Sequence, residues 1–494
     1  MYSTRLLELK IKAKINLFIV LTQECINKNN FEIKKMSVNK LPKKQISGYV
    51  MGMIPLTIIL GVFRLAYIKF FFDSLGLDAI LFVIGMVIFM FINMTNDPII
   101  GQWQDNTNVE KRGSRRIFYI KYFSPLLVIV FVLMWFPWST DNASPLGQFV
   151  MFLHFVISIS IFDTLSNIVT MAWMALLPDM TSDLGERTKI NFFGSILGLL
   201  ASFLVITVPT MVDNLQFFQM YNIVVGIISY VCYFLVVKLS KERPEHQHDR
   251  SPPLWTAIKQ TIKSKSFMMF VGFNFFKTLI SSIQLSYVFL FLILIGPENV
   301  GLYFLIVIIV GWSSNILCMK LRKKHGFKKL LLRFTTIQFV GGFILFFLVL
   351  IPSISIPAMW IGLVFSAFFG GAGIFGVIMQ TLPIDEDEVK YGSRREGMFY
   401  GINALFTKPT ESIGPIIVTI VLGLTGYIQN SPVQTDLAMF GIIFVFYFIV
   451  NIFVALSLIF AYLFPLEGEK LKQLEMEIEE LHKKKRKEFA SKDL

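Results

Sequence analysis

Residues 78–116 read DAILFVIGMVIFMFINMTNDPIIGQWQDNTNVEKRGSRR, and this stretch indicates the class of the fold. It begins with an apolar block of about 20 residues, the length that an α-helix needs to cross a hydrocarbon core of roughly 30 Å. A polar segment containing Asn96 and Asp97 ends the block, and the basic run Lys111–Arg116 follows it. An apolar block next to a basic loop is typical of a membrane-spanning helix whose loop lies inside the cell.

The whole chain repeats this pattern. Of its 494 residues, 54% are hydrophobic and 16% are charged, whereas soluble domains carry about 25% charged residues. The formal net charge of +13 does not indicate a nucleic-acid partner, because the basic residues lie between apolar blocks. The three cysteines lie far apart, without paired or metal-ligand spacing, so we expect neither a disulfide framework nor a metal site.

Apolar blocks long enough to span a bilayer recur along the chain, and they predict an all-α membrane protein with about twelve transmembrane helices. We place these spans at roughly 49–72, 78–100, 116–138, 148–178, 189–211, 217–239, 267–295, 299–320, 329–351, 357–382, 396–427 and 434–464.

The loops between the spans alternate in charge. The connections that follow odd-numbered spans contain no Lys or Arg; they are residues 73–78, 139–147, 212–216, 296–298, 352–356 and 428–435. The intervening connections are basic, as in Lys111–Arg116 and Arg322–Lys324. The positive-inside rule therefore predicts an even number of spans with both termini in the cytoplasm. We expect a multi-pass protein of the cell membrane.

The longest connection, residues 240–266, divides the chain into two halves of six spans, residues 49–239 and 267–464. Each half has a short basic loop after its second span, 111–116 in the first and 320–329 in the second. Two related six-span halves are typical of the major facilitator architecture, in which the substrate site lies between the halves near mid-membrane.

Two basic tails flank the spans. Residues 1–48 contain only one short apolar run and predict a disordered cytoplasmic tail, with either Met1 or Met36 as the start of translation. Residues 465–494 form a second cytoplasmic tail. Its heptad-like Leu471, Leu474, Ile478 and Leu481 predict an amphipathic helix with a solvated basic end, because two heptads are too few for a coiled coil.

Ionisable side chains inside a membrane are costly, so those within the predicted spans are candidates for function. Asp97 in span 2 is the strongest candidate. It follows Asn93 by four residues, which places both on one face of a helix. A carboxylate with an amide oxygen one turn away can bind Na⁺, and the carboxylate alone can carry a proton. The alternative is an Asp near a helix end that bonds a neighbouring helix.

Spans 1 and 11 also carry charges. Lys408 lies beside Glu411 in span 11, and a buried lysine needs a carboxylate partner or a shifted pKa. It could pair with Asp97 and compete with a cation there, or it could pair locally with Glu411. Arg64 in the middle of span 1 could bind an anionic group of a substrate, or it could form a structural pair with a carboxylate such as Asp163 in span 4.

Three further ionisable residues give weaker signals. Lys277 in span 7 could face a substrate cavity or pair across the halves. Lys69 lies near the outer end of span 1, and we expect it to extend to the membrane interface. His154 in span 4 is interpreted as structural.

Charges near the cytoplasmic ends of the spans suit gating salt bridges that would hold that side closed and break during alternating access. We assign this role to Asp105, Arg115, Arg116, Arg394 and Arg395. The alternative is a set of solvated charged loops.

Four stretches resemble the glycoside–pentoside–hexuronide:cation symporter family, which includes the melibiose permeases. The resemblance covers residues 45–464. Its motifs are NDPIIG at 96–101 with the basic loop after it, AWMALLPDMTSDLGERT at 172–188, RREGMFYGINALFTK at 394–408 and Gly426-Tyr427. The resemblance implies a major facilitator fold and cation-coupled symport.

Site residues follow from this resemblance by position. Asp97 matches a cation-site aspartate of span 2, and Lys408 matches the lysine near that site. Other family positions are changed here: the first span-2 aspartate falls at Asn93, and the span-4 aspartate that completes the sodium site falls near Thr170. The sugar-binding aspartate of span 1 falls near Thr57. The galactoside site is therefore absent, and the single remaining cation-site carboxylate favours H⁺ over Na⁺ or leaves coupling open.

These observations predict a transporter rather than an enzyme. We expect cation-coupled symport of a sugar, glycoside, uronide or related organic solute, with Na⁺ or H⁺ as coupling ion and no cofactor. We assign Arg64, Thr57, Asp163, Trp173 and Lys277 to the substrate cavity. The partners are a small-molecule substrate and the lipid bilayer, and we expect a monomer. The alternatives are a lysolipid symporter and a membrane sensor or scaffold that does not transport.

Overall fold

A computed structural model describes residues 41–105, 107–181, 184–242, 261–392, 396–431 and 433–492. All regular elements within these ranges are helices. Ten of the helices are long and apolar enough to cross a membrane. Two shorter apolar helices lie where the third and fifth spans are predicted, so the described residues agree with the predicted number of about twelve.

The spanning helices are named α1 to α12 in chain order. Their bounds are α1 Lys43–Ser74, α2 Ala79–Gln104, α3 Ile117–Leu133, α4 Pro145–Leu177, α5 Lys189–Ser202, α6 Leu215–Leu239, α7 Lys265–Ser286, α8 Pro297–Arg322, α9 Phe327–Val349, α10 Ser355–Tyr391, α11 Phe399–Leu424 and α12 Asp436–Leu463. A final helix, α13, runs from Gly468 to Lys492.

Several spans are not continuous α-helix, and each interruption has a local cause. Helix α1 ends in π-helical residues Lys69–Ser74, and α10 contains a 3₁₀ segment, Gly371–Phe375. Helix α11 is interrupted between Thr407 and Thr410, because Pro409 has no backbone N–H to continue the hydrogen-bond ladder. Helix α5 ends at Ser202, earlier than the sequence predicts, and a separate short helix, Val208–Met211, follows it.

The ends of the predicted N-terminal tail and linker differ from the structure at two places. Helix α1 begins at Lys43, within the stretch that the sequence assigns to the N-terminal tail. Helix α7 begins at Lys265, within the predicted linker, and residues 1–40 and 243–260 lie outside the described residues. The predicted amphipathic helix of the C-terminal tail corresponds to α13, whose Leu474 is buried.

An apolar stripe on the outside of the bundle is what a membrane protein requires. Along α8 the exposed apolar residues are Leu302, Leu305, Ile309, Trp312 and Ile316, a spacing that puts them on one helix face. A soluble protein rarely exposes a continuous apolar surface of this kind. We therefore interpret this face as the one that contacts lipid.

The helices pack as two groups. In the first group α4 packs against α2 and α3, and α6 packs against α1 and α3. In the second group α7 packs against α12 and α11, and α9 packs against α10 and α12. Contacts between the groups come mainly from α2 with α11 and from α1 with α7. The two six-helix halves of a major facilitator fold are thereby formed.

The bundle has two ends, which we name by the chain termini. The termini end carries the start of α1 and helix α13, and the distal end carries the α1–α2 and α11–α12 connections. At the termini end, the Lys328 ammonium donates to the Phe464 carbonyl and to Glu467 Oε1, both at 2.7 Å. These bonds fix the segment from which α13 starts.

At the distal end, a set of hydrogen bonds that we call the distal latch joins the two halves. Asp73 Oδ1, at the end of α1, accepts from the Tyr427 hydroxyl at 2.8 Å and from the Asn430 backbone N–H at 2.9 Å. The Gln429 side chain donates to the Leu77 carbonyl at 2.9 Å. Because Asp73 and Leu77 belong to the first half and the other residues to the second, these bonds hold the halves together at this end.

Candidate functional site

Polar side chains from α1, α2, α4 and α11 meet in the middle of the bundle, where the two halves face one another. We call this set the central cluster. Its members are Arg64, Asn93, Asp97, Asp163, Asn167, Lys408 and Glu411.

Glu411 joins the halves on one side of the central cluster. Its Oε1 lies 3.4 Å from an Arg64 guanidinium nitrogen, and its Oε2 accepts from the Asn93 amide at 3.2 Å. Arg64 and Asn93 are in the first half, whereas Glu411 is in the second. Its position in the first turn after the α11 interruption places its carboxylate at the boundary between the halves.

Lys408 joins the halves on the other side of the central cluster. Its ammonium lies 3.7 Å from Asp97 Oδ2 and 3.4 Å from Asn167 Oδ1. The Asn167 amide in turn donates to Asp163 Oδ2 at 3.0 Å. The chain of contacts therefore runs from Asp97 through Lys408 and Asn167 to Asp163. Of the two pairings open for Lys408 from the sequence, the geometry supports Asp97 rather than Glu411.

Two oxygens in this cluster have no hydrogen-bond donor among the described residues. They are Asn93 Oδ1 and Asp97 Oδ1, and both atoms are buried. Asn93 and Asp97 are one turn apart on α2, so the two oxygens belong to one helix face. A buried acceptor without a donor is costly, and a bound cation or an added proton would satisfy acceptors of this kind.

The formal charges of the cluster do not cancel. Arg64 and Lys408 supply two positive charges, and Asp97, Asp163 and Glu411 supply three negative charges, which leaves −1. Charge inside a membrane is costly unless it is compensated. The cluster is therefore one unit positive charge short of neutrality, which suits the uptake of one monovalent cation.

Two threonines, Thr170 and Thr57, were predicted for the cation site and the substrate cavity, respectively. Thr170 follows Asp163 by seven residues on α4, hence on the same face as Asp163 and Asn167. The Thr57 hydroxyl donates to the Met53 carbonyl of its own helix at 2.8 Å, and Thr57 lies beside Gly198 of α5.

Trp173 is buried between spans of the first half. Its indole N–H donates to the Tyr49 carbonyl at 3.0 Å, and its ring stacks on the Tyr49 ring with centroids 4.7 Å apart. A Cβ atom added at Gly52 would lie 2.1 Å from the indole nitrogen. The Trp173 side chain is thus used in packing α4 against α1.

Lys277 lies apart from the central cluster. A Cβ atom added at Gly373, in the 3₁₀ segment of α10, would lie 3.5 Å from the Lys277 ammonium. No carboxylate of the described residues lies within salt-bridge distance of this ammonium. Its neighbours on α7 are also polar: Asn274 donates to Asn403 at 3.1 Å, and the hydroxyl of Thr278 lies 3.1 Å from that of Thr410.

The predicted gating residues fall at the termini end. Arg116 lies 3.5 Å from Asp179, and the backbone N–H groups of Arg115 and Arg116 donate to the Glu242 carboxylate at 2.7 Å. Burial raises the pKa of Asp179, and its effect outweighs that of the neighbouring Arg116. The Asp105 side chain, Arg394 and Arg395 lie outside the described residues.

Sequence reasoning missed two features of the central cluster and one of the distal latch. Glu411 was considered only as a local partner of Lys408, and Asp163 was considered as the partner of Arg64, whereas the contact of Arg64 is Glu411. Asn167 was not considered, although it follows Asp163 by four residues, a spacing that indicates a shared helix face. Asp73 was assigned only to a loop that contains no basic residues.

Comparison with known proteins gives one consistent result. A family profile described as "MFS/sugar transport protein" matches residues 48–468. The chain is 22% identical over 465 residues to the "Glucuronide carrier protein homolog" of Escherichia coli (strain K12), covering 89% of this chain and 96% of that protein. It is 23% identical over 433 residues to "Transmembrane protein 180" of Gallus gallus, covering 76% of this chain and 81% of that protein.

The fold is also similar to that of a solved structure. The crystal structure of a D-xylose-proton symporter superposes with a TM-score of 0.58 at 15% sequence identity, covering 85% of this chain and 97% of that one. At this identity the similarity concerns the fold alone.

Proposed function

The chain belongs to the MFS/sugar transport protein family, and from this premise we propose that it is a cation-coupled symporter of a sugar, glycoside, uronide or related organic solute. The resemblance to the glycoside–pentoside–hexuronide:cation symporters is confirmed by the family match and by the relatives. The chain is thus a multi-pass membrane transporter of a small molecule rather than an enzyme.

The observation that carries the proposal is the pair of unsatisfied oxygens on α2, Asn93 Oδ1 and Asp97 Oδ1. The other oxygen of Asp97, Oδ2, lies 3.7 Å from the Lys408 ammonium, and the cluster has a formal charge of −1. Na⁺ prefers such carboxylate and amide oxygens, and a proton would neutralise Asp97 directly. A coupling ion at Asp97 would compete with Lys408 for the same carboxylate.

The position of Lys408 suggests how ion binding would be linked to alternating access. Its contacts to Asp97 and Asn167 cross from α11 to the first half. A cation at Asp97 would weaken the attraction between Asp97 and Lys408 and so weaken one of the bridges between the halves. The solute would then bind between halves that are free to rearrange around it.

The orientation in the membrane is part of the same proposal. We infer that both termini are cytoplasmic in the cell membrane, because the connections at the termini end carry the basic residues. The distal latch would then face the outside of the cell. A monomer suffices for this mechanism, since the central cluster is built from one chain.

The test is solute uptake by proteoliposomes under an imposed H⁺ or Na⁺ gradient, with wild type, Asp97→Asn and the control Asp213→Asn. Asp213 is a half-exposed partner of Lys69 outside the central cluster, so its substitution also removes a carboxylate from the first half. We expect gradient-driven uptake in wild type and in the control, and only exchange down the solute gradient in Asp97→Asn. Equal gradient-driven uptake in all three proteins would overturn the assignment of Asp97 as the coupling carboxylate.

A further inference from the structure

Arg64 is exposed in the middle of a helix whose neighbouring residues are buried. Its side chain is 50% exposed, whereas Phe63 and Leu65 on either side of it are buried. Its partner, Glu411, belongs to the other half of the protein, so the exposed side of Arg64 faces the gap between the halves rather than lipid. A guanidinium in this position can be reached by a solute that enters the gap.

Most of the hydrogen-bonding capacity of Arg64 is unused. A guanidinium has five N–H donors in a planar fork that fits a carboxylate through two parallel hydrogen bonds. Among the described residues, only Glu411 accepts from it, through a single contact of 3.4 Å. The remaining donors are available to an acceptor in the gap.

The Glu411 side chain is held only loosely beside the Arg64 guanidinium. This side chain is 37% exposed, and its carboxylate meets Arg64 through one oxygen. The other oxygen accepts a hydrogen bond from Asn93. Ion pairs with this much exposure contribute little to stability. The Glu411 carboxylate can therefore leave Arg64 at small cost and remain bonded to Asn93.

We propose that Arg64 binds an acidic group of the transported solute, and that Glu411 occupies this position until the solute arrives. The inference rests on the proposed function, since it names the class of solute that the same site takes: a small organic acid such as an acidic sugar. Glu411 is then a specificity-determining residue, because it competes with the solute for Arg64.

The charge balance links this exchange to the coupling ion. An acidic solute changes the formal charge of the cluster from −1 to −2, and one bound cation restores it to −1. Glu411, when displaced, stays next to Asn93, one turn from Asp97. The arrival of the acid thus makes the binding of a cation near Asp97 more favourable, and the two ligands enter together.

The test is equilibrium binding to the purified full-length protein of matched pairs of probes that differ in one acidic group: D-glucuronate against D-glucose, and methyl β-D-glucuronide against methyl β-D-glucoside. The variants are Arg64→Gln, Arg64→Lys, Glu411→Gln and the control Asp213→Asn. Thermal melting and size-exclusion chromatography establish that each variant is folded.

We expect wild type and the control to bind at least one acidic probe roughly tenfold more tightly than its neutral partner. This is the difference in affinity that about one charge-assisted hydrogen bond provides. Arg64→Gln should lose this preference, and Arg64→Lys should keep part of it. Glu411→Gln should bind the acidic probe about two- to fivefold more tightly than wild type, because the competitor has become neutral.

The outcomes separate this inference from the proposed function. If no acidic probe binds wild type more tightly than its neutral partner, or if Arg64→Gln keeps the preference, the inference is overturned. Weaker binding of acid by Glu411→Gln overturns the competitive role of Glu411. If the protein binds a neutral solute, and this binding is linked to a cation through Asp97, the present inference is refuted and the symport proposal stands. If Arg64 binds the acidic probe but no cation is linked to that binding through Asp97, the present inference stands and the symport proposal is refuted.

Discussion

Substitution of Tyr427 by Phe tests whether the distal latch controls the separation of the two halves. The Tyr427 hydroxyl donates to Asp73 Oδ1 at 2.8 Å, and Asn430 donates to the same oxygen through its backbone. Burial and the nearby Asp73 raise the pKa of Tyr427 above its ordinary value, so the hydroxyl remains a donor at physiological pH. The Phe variant removes this bond and retains the ring that lies near Phe72.

The magnitude follows from the chemistry of the lost bond. A hydrogen bond to a charged acceptor contributes about 1.5–3 kcal/mol. Because the bond from Asn430 remains, we take the lower value of about 1.5 kcal/mol, which corresponds to roughly a tenfold change in an equilibrium constant. We therefore expect the ratio of protein with separated distal ends to protein with closed distal ends to rise about tenfold.

The assay is a pulsed electron–electron distance measurement between spin labels at Ile80→Cys and Val433→Cys, in a background without Cys25, Cys232 and Cys318. Both labelled side chains are exposed, one at the start of α2 and one before α12. Tyr462→Phe is the matched control, since Tyr462 is 68% exposed on α12 and away from the latch. An unchanged distance distribution in folded Tyr427→Phe, or the same change in Tyr462→Phe, would refute the reasoning.

Three further predictions concern other contacts. Lys408→Met leaves Asp97 without its counter-ion, so we expect the variant to be about 1–3 kcal/mol less stable than wild type in cation-free buffer. Its melting temperature should also rise more steeply with added Na⁺ or H⁺ than that of wild type. A double variant, Asp97→Asn/Lys408→Met, that is as unstable as Lys408→Met would contradict the pairing. Gly52→Ala should destabilise the protein by about 1–3 kcal/mol, because its Cβ would lie 2.1 Å from the Trp173 indole nitrogen. The control Gly311→Ala has open space around its Cβ and should melt within a degree or two of wild type. Equal melting temperatures of the two variants would argue against this packing of Trp173 on Gly52. The raised pKa of Asp179 means that its folded form holds the proton more tightly than the unfolded form, so its contribution to stability is full below the unfolded pKa of about 3.9 and is lost as pH rises through the folded pKa. The melting temperature of wild type should therefore fall relative to Asp179→Asn as pH rises from about 4, and a constant difference between the two proteins would show that the pKa is not raised.

The fold was largely predictable because hydrophobicity and loop charge are local properties of a membrane protein. Apolar blocks gave the order and approximate position of the helices, and the basic loops gave an even number of them. The helix ends were less predictable: α5 ends at Ser202 rather than near residue 211, and α1 begins at Lys43. Such ends depend on packing and capping rather than on average hydrophobicity.

The candidate site was predictable only where its residues share a helix. Asn93 with Asp97 follows from helical periodicity, and the same rule would have added Asn167 to Asp163. The partner of Arg64 could not be found in this way, since Arg64 and Glu411 are 347 positions apart. The sequence reading proposed Asp163 as the partner of Arg64, and only the packing of the two halves selects Glu411 instead.

The central cluster and the distal latch both use α1 in the first half and α11, or the residues directly after it, in the second half. Arg64 and Asp73 both lie on α1, about 13 Å apart along the helix axis at 1.5 Å per residue, and their partners Glu411 and Tyr427 lie on α11 and directly after it. Two bonds between one pair of rigid bodies are thermodynamically linked, so a ligand that breaks the first changes the probability that the second opens. By reciprocity, opening the distal end must change the affinity for that ligand by the same factor. The affinity of the solute measured from each side of the membrane would then report directly on the strength of the latch.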